Sequence, residues 1–153
     1  MGIYLEDREV ILAWGAKAEE LRQVTHPDYH VQAARLTLVW NDRVFGLTCQ
    51  VAAEFQDLEE SLSAVQLTFK YPESIRSLPE GFTWLGERLA GNFGQPIFKR
   101  DDGETGEAQW VVDTVVLRHE YFMGMGGGHS LFIYQRGTTE RLTQTGLSHH
   151  RGT

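Results

Sequence analysis

The densest concentration of reactive side chains is His26-Pro27-Asp28-Tyr29-His30. Alternate side chains of an extended chain point the same way, so His26, Asp28 and His30 would converge. Two imidazoles and a carboxylate suit zinc or iron and leave positions open for water, the basis of a small metal-dependent enzyme. The competing reading is a polar connection between a helix and a strand, because a metal site also needs outer partners that orient each imidazole. Arg118-His119-Glu120 offers a further ligand, but neighbours on a strand face opposite sides, so at most one of His119 and Glu120 could join.

Other candidate chemistry is less complete. Gly124-Met125-Gly126-Gly127-Gly128-His129 could present backbone amides to an anion, yet His129-Ser130 stands where a phosphate loop needs Lys then Ser or Thr. A dinucleotide fingerprint needs glycine in place of His129 and a helix next, whereas Leu131-Phe132-Ile133-Tyr134 reads as a strand; the glycines fit a hairpin connection. Cys49, the one cysteine, lies in the apolar-rich run from Phe45 to Phe55 with no electropositive neighbour in sequence, which reads as a buried structural thiol. No Gly-x-Ser-x-Gly elbow is present, and no cofactor is implied.

The acidic run Asp57-Leu58-Glu59-Glu60 reads first as a solvated turn; with Glu54 and Glu73 it could present a negative surface that steers a basic partner. Charge agrees: 14 Lys and Arg against 21 Asp and Glu leave a net −7, of which residues 1–76 carry −5. A nucleic-acid reader, which neutralises phosphates with clustered cations, is disfavoured. With 153 residues, 41% apolar, the chain has material for one domain, 1–136, followed by a polar tail, 137–153, expected to be mobile in isolation. The N-terminus lacks the basic start and apolar stretch of a signal peptide, no window suits a membrane span, and a lone cysteine supports no internal disulfide; a cytoplasmic location is expected.

These residues need elements to position them. Val10, Trp14, Ala18 and Leu21 form one stripe of a helix from Val10 to Val24. The competing parse makes Glu9 to Trp14 a strand and starts the helix after Gly15. Pro27 ends the helix. Ala34, Leu36, Leu38 and Trp40 alternate with Arg35, Thr37, Val39 and Asn41 as a strand, Asn41-Asp42-Arg43 turns the chain, and Cys49, Val51, Ala53 and Phe55 alternate on a second. Val65, Leu67, Phe69 and Tyr71 share a face of a third, Ala64 to Tyr71. Phe82, Leu85, Leu89 and Phe93 mark a second helix closed by Gly94 and Pro96. Its internal glycines, Gly86 and Gly91, suggest close approach to the sheet. Lys99 to Glu107 reads as a solvated connection, Trp110 to Phe122 as one long strand, and Ser130 to Gln135 as its partner.

The expected fold class is α+β: a mainly antiparallel sheet of five or more strands, two helices on one face, and a weak internal duplication echoed by Ala13-Trp14-Gly15 and Thr83-Trp84-Leu85-Gly86. A short helix, a meander with a Phe-Gly step and Gly94-Gln95-Pro96 after the second helix resemble the β-lactamase-inhibitor-protein type of fold and small immunity proteins that neutralise bacterial toxins. The resemblance implies a non-catalytic protein-binding module that presents a sheet face or loops to a protein partner, here a basic toxin domain occluded through Glu54, Asp57, Glu59, Glu60 and Glu73. A third class is a small-molecule-binding curved sheet with an apolar pocket lined by aromatics such as Trp40 and Trp110.

Overall fold

In the computed structural model, which describes residues 1–138, the apolar run Val10–Ala13 is a strand and not the start of a helix. This strand, β2, pairs antiparallel with β1, Gly2–Leu5, so that Ile3 faces Leu12 and Leu5 faces Val10. The hairpin partner at the extreme N-terminus decides the competition that periodicity left open, because pairing satisfies the backbone of a run too short to prove itself helical. Gly2 is required there: a Cβ would fall 2.0 Å from the Leu12 carbonyl oxygen. The helix begins after Gly15, as the competing parse expected: α1 is Ala18–Thr25.

The described residues fall into two compact units, Met1–Lys70 and the residues from Tyr71 onward. In the first unit, α1 buries Ala18, Leu21 and Thr25. The Thr25 hydroxyl donates to the Leu21 carbonyl (2.5 Å) and accepts from the Trp40 indole (2.9 Å), which ties the helix to the sheet below it. Four strands follow in sequential antiparallel order: β3 (Tyr29–Gln32), β4 (Leu36–Val44), β5 (Leu47–Phe55) and β6 (Ala64–Phe69). The register sets Leu36 opposite Phe55, Leu38 opposite Ala53, Trp40 opposite Val51 and Cys49 opposite Phe69, so the expected alternating residues fall on one face. Asn41, Asp42 and Arg43 lie inside β4; the chain turns instead at Phe45 (φ 55°) and Gly46 (φ 75°), the consecutive positive φ angles of a two-residue hairpin.

The second unit repeats this order. Its helix α2, Leu78–Phe93, buries Phe82, Leu85 and Leu89, and its terminal Gly94 (φ 83°) donates to the Ala90 carbonyl. Ser77 caps the other end by accepting from the Glu80 amide while Glu80 accepts from the Arg76 amide, a variant of the Ser-x-x-Glu box. Then come β7 (Phe98–Asp101), β8 (Thr105–Val112), β9 (Val115–Phe122) and β10 (Gly128–Gln135), again antiparallel in sequence order. The expected solvated connection is therefore largely a hairpin, and the expected single strand from Trp110 is two, folded at Asp113, whose φ of 58° suits a residue type that tolerates the left-handed region. The two glycines expected to allow close approach do not: a Cβ at Gly86 or Gly91 meets nothing within 4 Å. Close approach occurs at Gly81, against the Tyr71 ring, and at Gly106, against Tyr121.

The molecule is thus α+β and mostly antiparallel sheet, each unit a helix on one face of a four-stranded meander. Both units run helix then four strands, but the two sequence echoes expected to mark a duplication fall at different places, Ala13-Trp14-Gly15 ahead of α1 and Thr83-Trp84-Leu85-Gly86 inside α2. Among the described residues no helix is long and apolar enough to cross a membrane. The tail expected over 137–153 falls almost wholly outside the described residues.

Candidate partner-binding surface and buried ionisable groups

Of the alternative metal cluster, His26, Asp28 and His30, the carboxylate is engaged elsewhere. His26 is the left-handed residue (φ 48°) that ends α1, and His30 is exposed on β3. Asp28 pairs with Arg8 (2.8 Å) and accepts from the Asn41 amide (2.5 Å). That amide bond outweighs partial burial and, with Arg8, holds the Asp28 carboxyl below the ordinary carboxylate range. Arg8 also pairs with Asp42 (2.9 Å), whose side chain is fully buried. Burial alone would raise the Asp42 carboxyl, but it accepts from the Arg43 and Asp7 amides (2.7 Å each) as well as from Arg8, and the net shift is downward. One guanidinium therefore clasps the β1–β2 turn to the α1–β3 loop and to β4. Among the described residues no group of three or more His, Cys, Asp or Glu is placed to hold a metal ion.

The acidic residues divide between the units. Asp57, Glu59 and Glu60 share the β5–β6 loop, with Glu54 near the end of β5; Glu73 belongs to the second unit, exposed ahead of α2. The loop caps α1. Lys17, at the helix N-cap, makes no side-chain cap, and the Ala18 and Glu19 amides donate to the Glu60 and Leu58 carbonyls (3.0 Å each). Its side chains are engaged too: Glu59 pairs with Lys17 (2.9 Å), Asp57 accepts from the Glu59 amide (2.9 Å), Glu60 accepts from the Gln56 amide, and Glu54 pairs with Arg35 (2.7 Å). The negative face survives as exposed carboxylates, but its loop is also the scaffold that starts a helix.

Cys49 is buried on the inner face of β5, and burial pushes its thiol up to about 12, so no thiolate nucleophile forms near neutral pH. The glycine-rich segment is a hairpin connection as expected: Met125, Gly126 and Gly127 all take positive φ between β9 and β10, and Met125 is largely exposed.

Sequence reasoning missed the most perturbed group. His119 is fully buried, stacked on Phe82 (centroids 4.7 Å apart, planes 25° apart), and neither ring nitrogen has a hydrogen-bond partner. Burial, with a small contribution from His129, depresses its imidazole to about 3. His129 is likewise depressed by burial and stacks on Tyr71 at 4.3 Å. Tyr121, facing the same helix, is pushed up to about 12 by burial and by its bond to Asp101 (2.5 Å). Period-2 alternation along β9 could have placed His119 with Leu117 and Tyr121 on the inner face, had the turn at Asp113 been recognised.

Two surfaces remain open. Strands β3 and β7 are exposed along their whole length, and each carries large apolar side chains on or beside it: Tyr29 and Val31, Ile97 and Phe98. Between α2 and the β7–β8 hairpin lies a groove of about 170 Å³. Phe82, Ala108 and Trp110 are its buried floor, Pro96 closes one side, and exposed Glu87 and Lys99 stand at its mouth. The Trp110 indole donates to the Gly94 carbonyl (2.8 Å), which fixes the ring in that floor. Trp40, by contrast, is sealed in the core of the first unit. Comparison of the chain with family models, with curated proteins and with solved structures found no match.

Proposed function

We propose that this chain is a non-catalytic protein-binding module, an inhibitor of the immunity-protein kind that occludes the active site of a basic toxin domain. The observation that supports it best is the pair of exposed strands, β3 and β7, with Tyr29, Val31 and Phe98 in solvent. An uncovered strand with apolar side chains is a template for pairing with another chain unless a partner covers it. The exposed carboxylates of Glu54, Asp57 and Glu59 supply the negative field that speeds encounter with a cationic surface. The reactive groups picked out by residue type are meanwhile committed to structure, Asp28 to Arg8 and Cys49 to the core.

The test is a titration of the purified chain against the toxin encoded beside it. Stoichiometric loss of toxin activity is expected, with association slowed by added salt and by Glu54→Lys with Asp57→Lys. Full toxin activity in excess protein refutes the proposal.

A further inference from the structure

The groove and the β7 edge are contiguous, and together they describe a ligand. Asp102 donates its amide to the Thr105 carbonyl (3.1 Å) while the Thr105 amide donates to the Asp102 carboxylate (2.8 Å), so Asp102 turns its backbone toward β8, in the position of a hydrogen-bonded pair. Such pairs alternate along an antiparallel ladder, so Arg100 and Phe98 turn their backbone groups toward β8, while Lys99 and Asp101 turn theirs outward. The side chains of Lys99 and Asp101 share the helix-facing side of the sheet: Lys99 lines the groove, and Asp101 reaches the Tyr121 hydroxyl. A strand added beside β7 would hydrogen-bond to Lys99 and Asp101; its residues opposite them would project to the α2 side, and the one opposite Lys99 would lie over the groove. At about 170 Å³ the groove matches one ring or branched aliphatic group, since a cavity of about 150 Å³ takes up benzene. Among the described residues the Lys99 ammonium has no hydrogen-bond or ion-pair partner; Glu87 stands across the same mouth, so a carboxylate beside the apolar group finds its counter-charge only on the Lys99 side.

We infer that β7 and the α2–β8 groove bind an extended peptide segment by strand addition, seating one large apolar side chain against Phe82 and Trp110 and a carboxylate two residues away against Lys99. This rests on the protein-binding reading and gives it a partner chemistry: an exposed strand with an acid-x-apolar pattern.

Gly86 makes the inference testable without endangering the fold. A side chain there meets open space beside the groove on a regular helical turn, so Gly86→Leu fills the groove and Gly86→Ala leaves it open. The probe is the acetylated, amidated peptide Thr-Glu-Thr-Phe-Thr, with Ala for Phe and Lys for Glu as controls, titrated into the isotope-labelled full chain. Expected are hydrogen-exchange protection of the Lys99 and Asp101 amides, a shift of the Trp110 indole signal, and affinity lowered about ten-fold or more by the Ala peptide and by Gly86→Leu. Lys99→Glu should reverse the preference between the Glu and Lys peptides. Protection absent from Lys99 and Asp101, or equal binding by Gly86→Leu and wild type, overturns the inference. Toxin inhibition is measured in parallel. Peptide binding lost in Gly86→Leu with inhibition unchanged overturns the peptide site as the toxin-contacting surface and leaves the inhibitor reading standing; loss of both supports the inference; absence of inhibition by wild type refutes the inhibitor reading independently of the peptide result.

Discussion

Replacing His119 by leucine should remove a large acid sensitivity from the fold. In the native state the imidazole sits against Phe82 with both nitrogens unsatisfied and titrates near 3; in the unfolded chain it titrates near its ordinary 6.5. Between those values the unfolded state binds a proton that the folded state does not, so stability contributed by the neutral ring is intact above about pH 6.5 and is lost as acid is added. Each unit of separation corresponds to about 1.4 kcal/mol, so the loss is about 2 kcal/mol at pH 5 and approaches roughly 5 kcal/mol near pH 3. Against a typical domain stability of about 5–15 kcal/mol this is a substantial fraction. The assay is urea unfolding, followed by tryptophan fluorescence, at pH 7.5 and pH 5 for wild type and His119→Leu. Wild type should lose about 2 kcal/mol more than the variant between the two conditions. At pH 7.5 the variant should be about 1 kcal/mol more stable, because it no longer buries an imidazole without partners. A residual slope in the variant is expected from His129, whose imidazole is also depressed. Identical slopes for the two proteins would refute the claim that His119 is held neutral by burial.

Further outcomes follow from other parts of the fold. Arg8→Met should cost about 3 kcal/mol in chemical denaturation, because it leaves the buried Asp42 carboxylate without its cation; an additional Asp42→Asn change should recover part of the loss. Gly81→Ala and Gly86→Ala should differ in sign: the first drives a Cβ to 2.1 Å from the Tyr71 ring and should destabilise by about 1–3 kcal/mol, while the second adds helix propensity in open space and should stabilise by up to about 1 kcal/mol. Equal melting shifts for the two would contradict that placement. Cys49 should resist alkylation by iodoacetamide at pH 8 in the native protein and react on unfolding in urea; rapid native labelling would show that its thiol is not held up by burial.

Residues with strong period-2 or helical alternation were legible in the sequence. Leu36, Leu38 and Trp40, then Cys49 to Phe55, then Val65 to Phe69 declared their strands and shared face, because one-sided burial leaves an imprint on every second residue. Phe82, Leu85 and Leu89 declared α2 in the same way, and Gly94 its end. The exposed strands β3 and β7 left no such imprint, since a strand wet on both faces alternates nothing. Turns set by left-handed residues, at Phe45-Gly46 and at Asp113, were equally silent.

What the chain order determined alone was class and composition of the core: which side chains turn inward and where helix gives way to sheet. The fate of the ionisable groups was decided only by tertiary contact. His26, Asp28 and His30 look like a ligand set until Arg8, eighteen or more residues away, claims the carboxylate; the acidic loop looks like free surface until its carbonyls are seen to cap α1; His119 looks like one of three polar neighbours until Phe82 closes over it. The physical reason is that hydrophobic patterning is written in local spacing, whereas desolvation and charge pairing depend on groups brought near by folding.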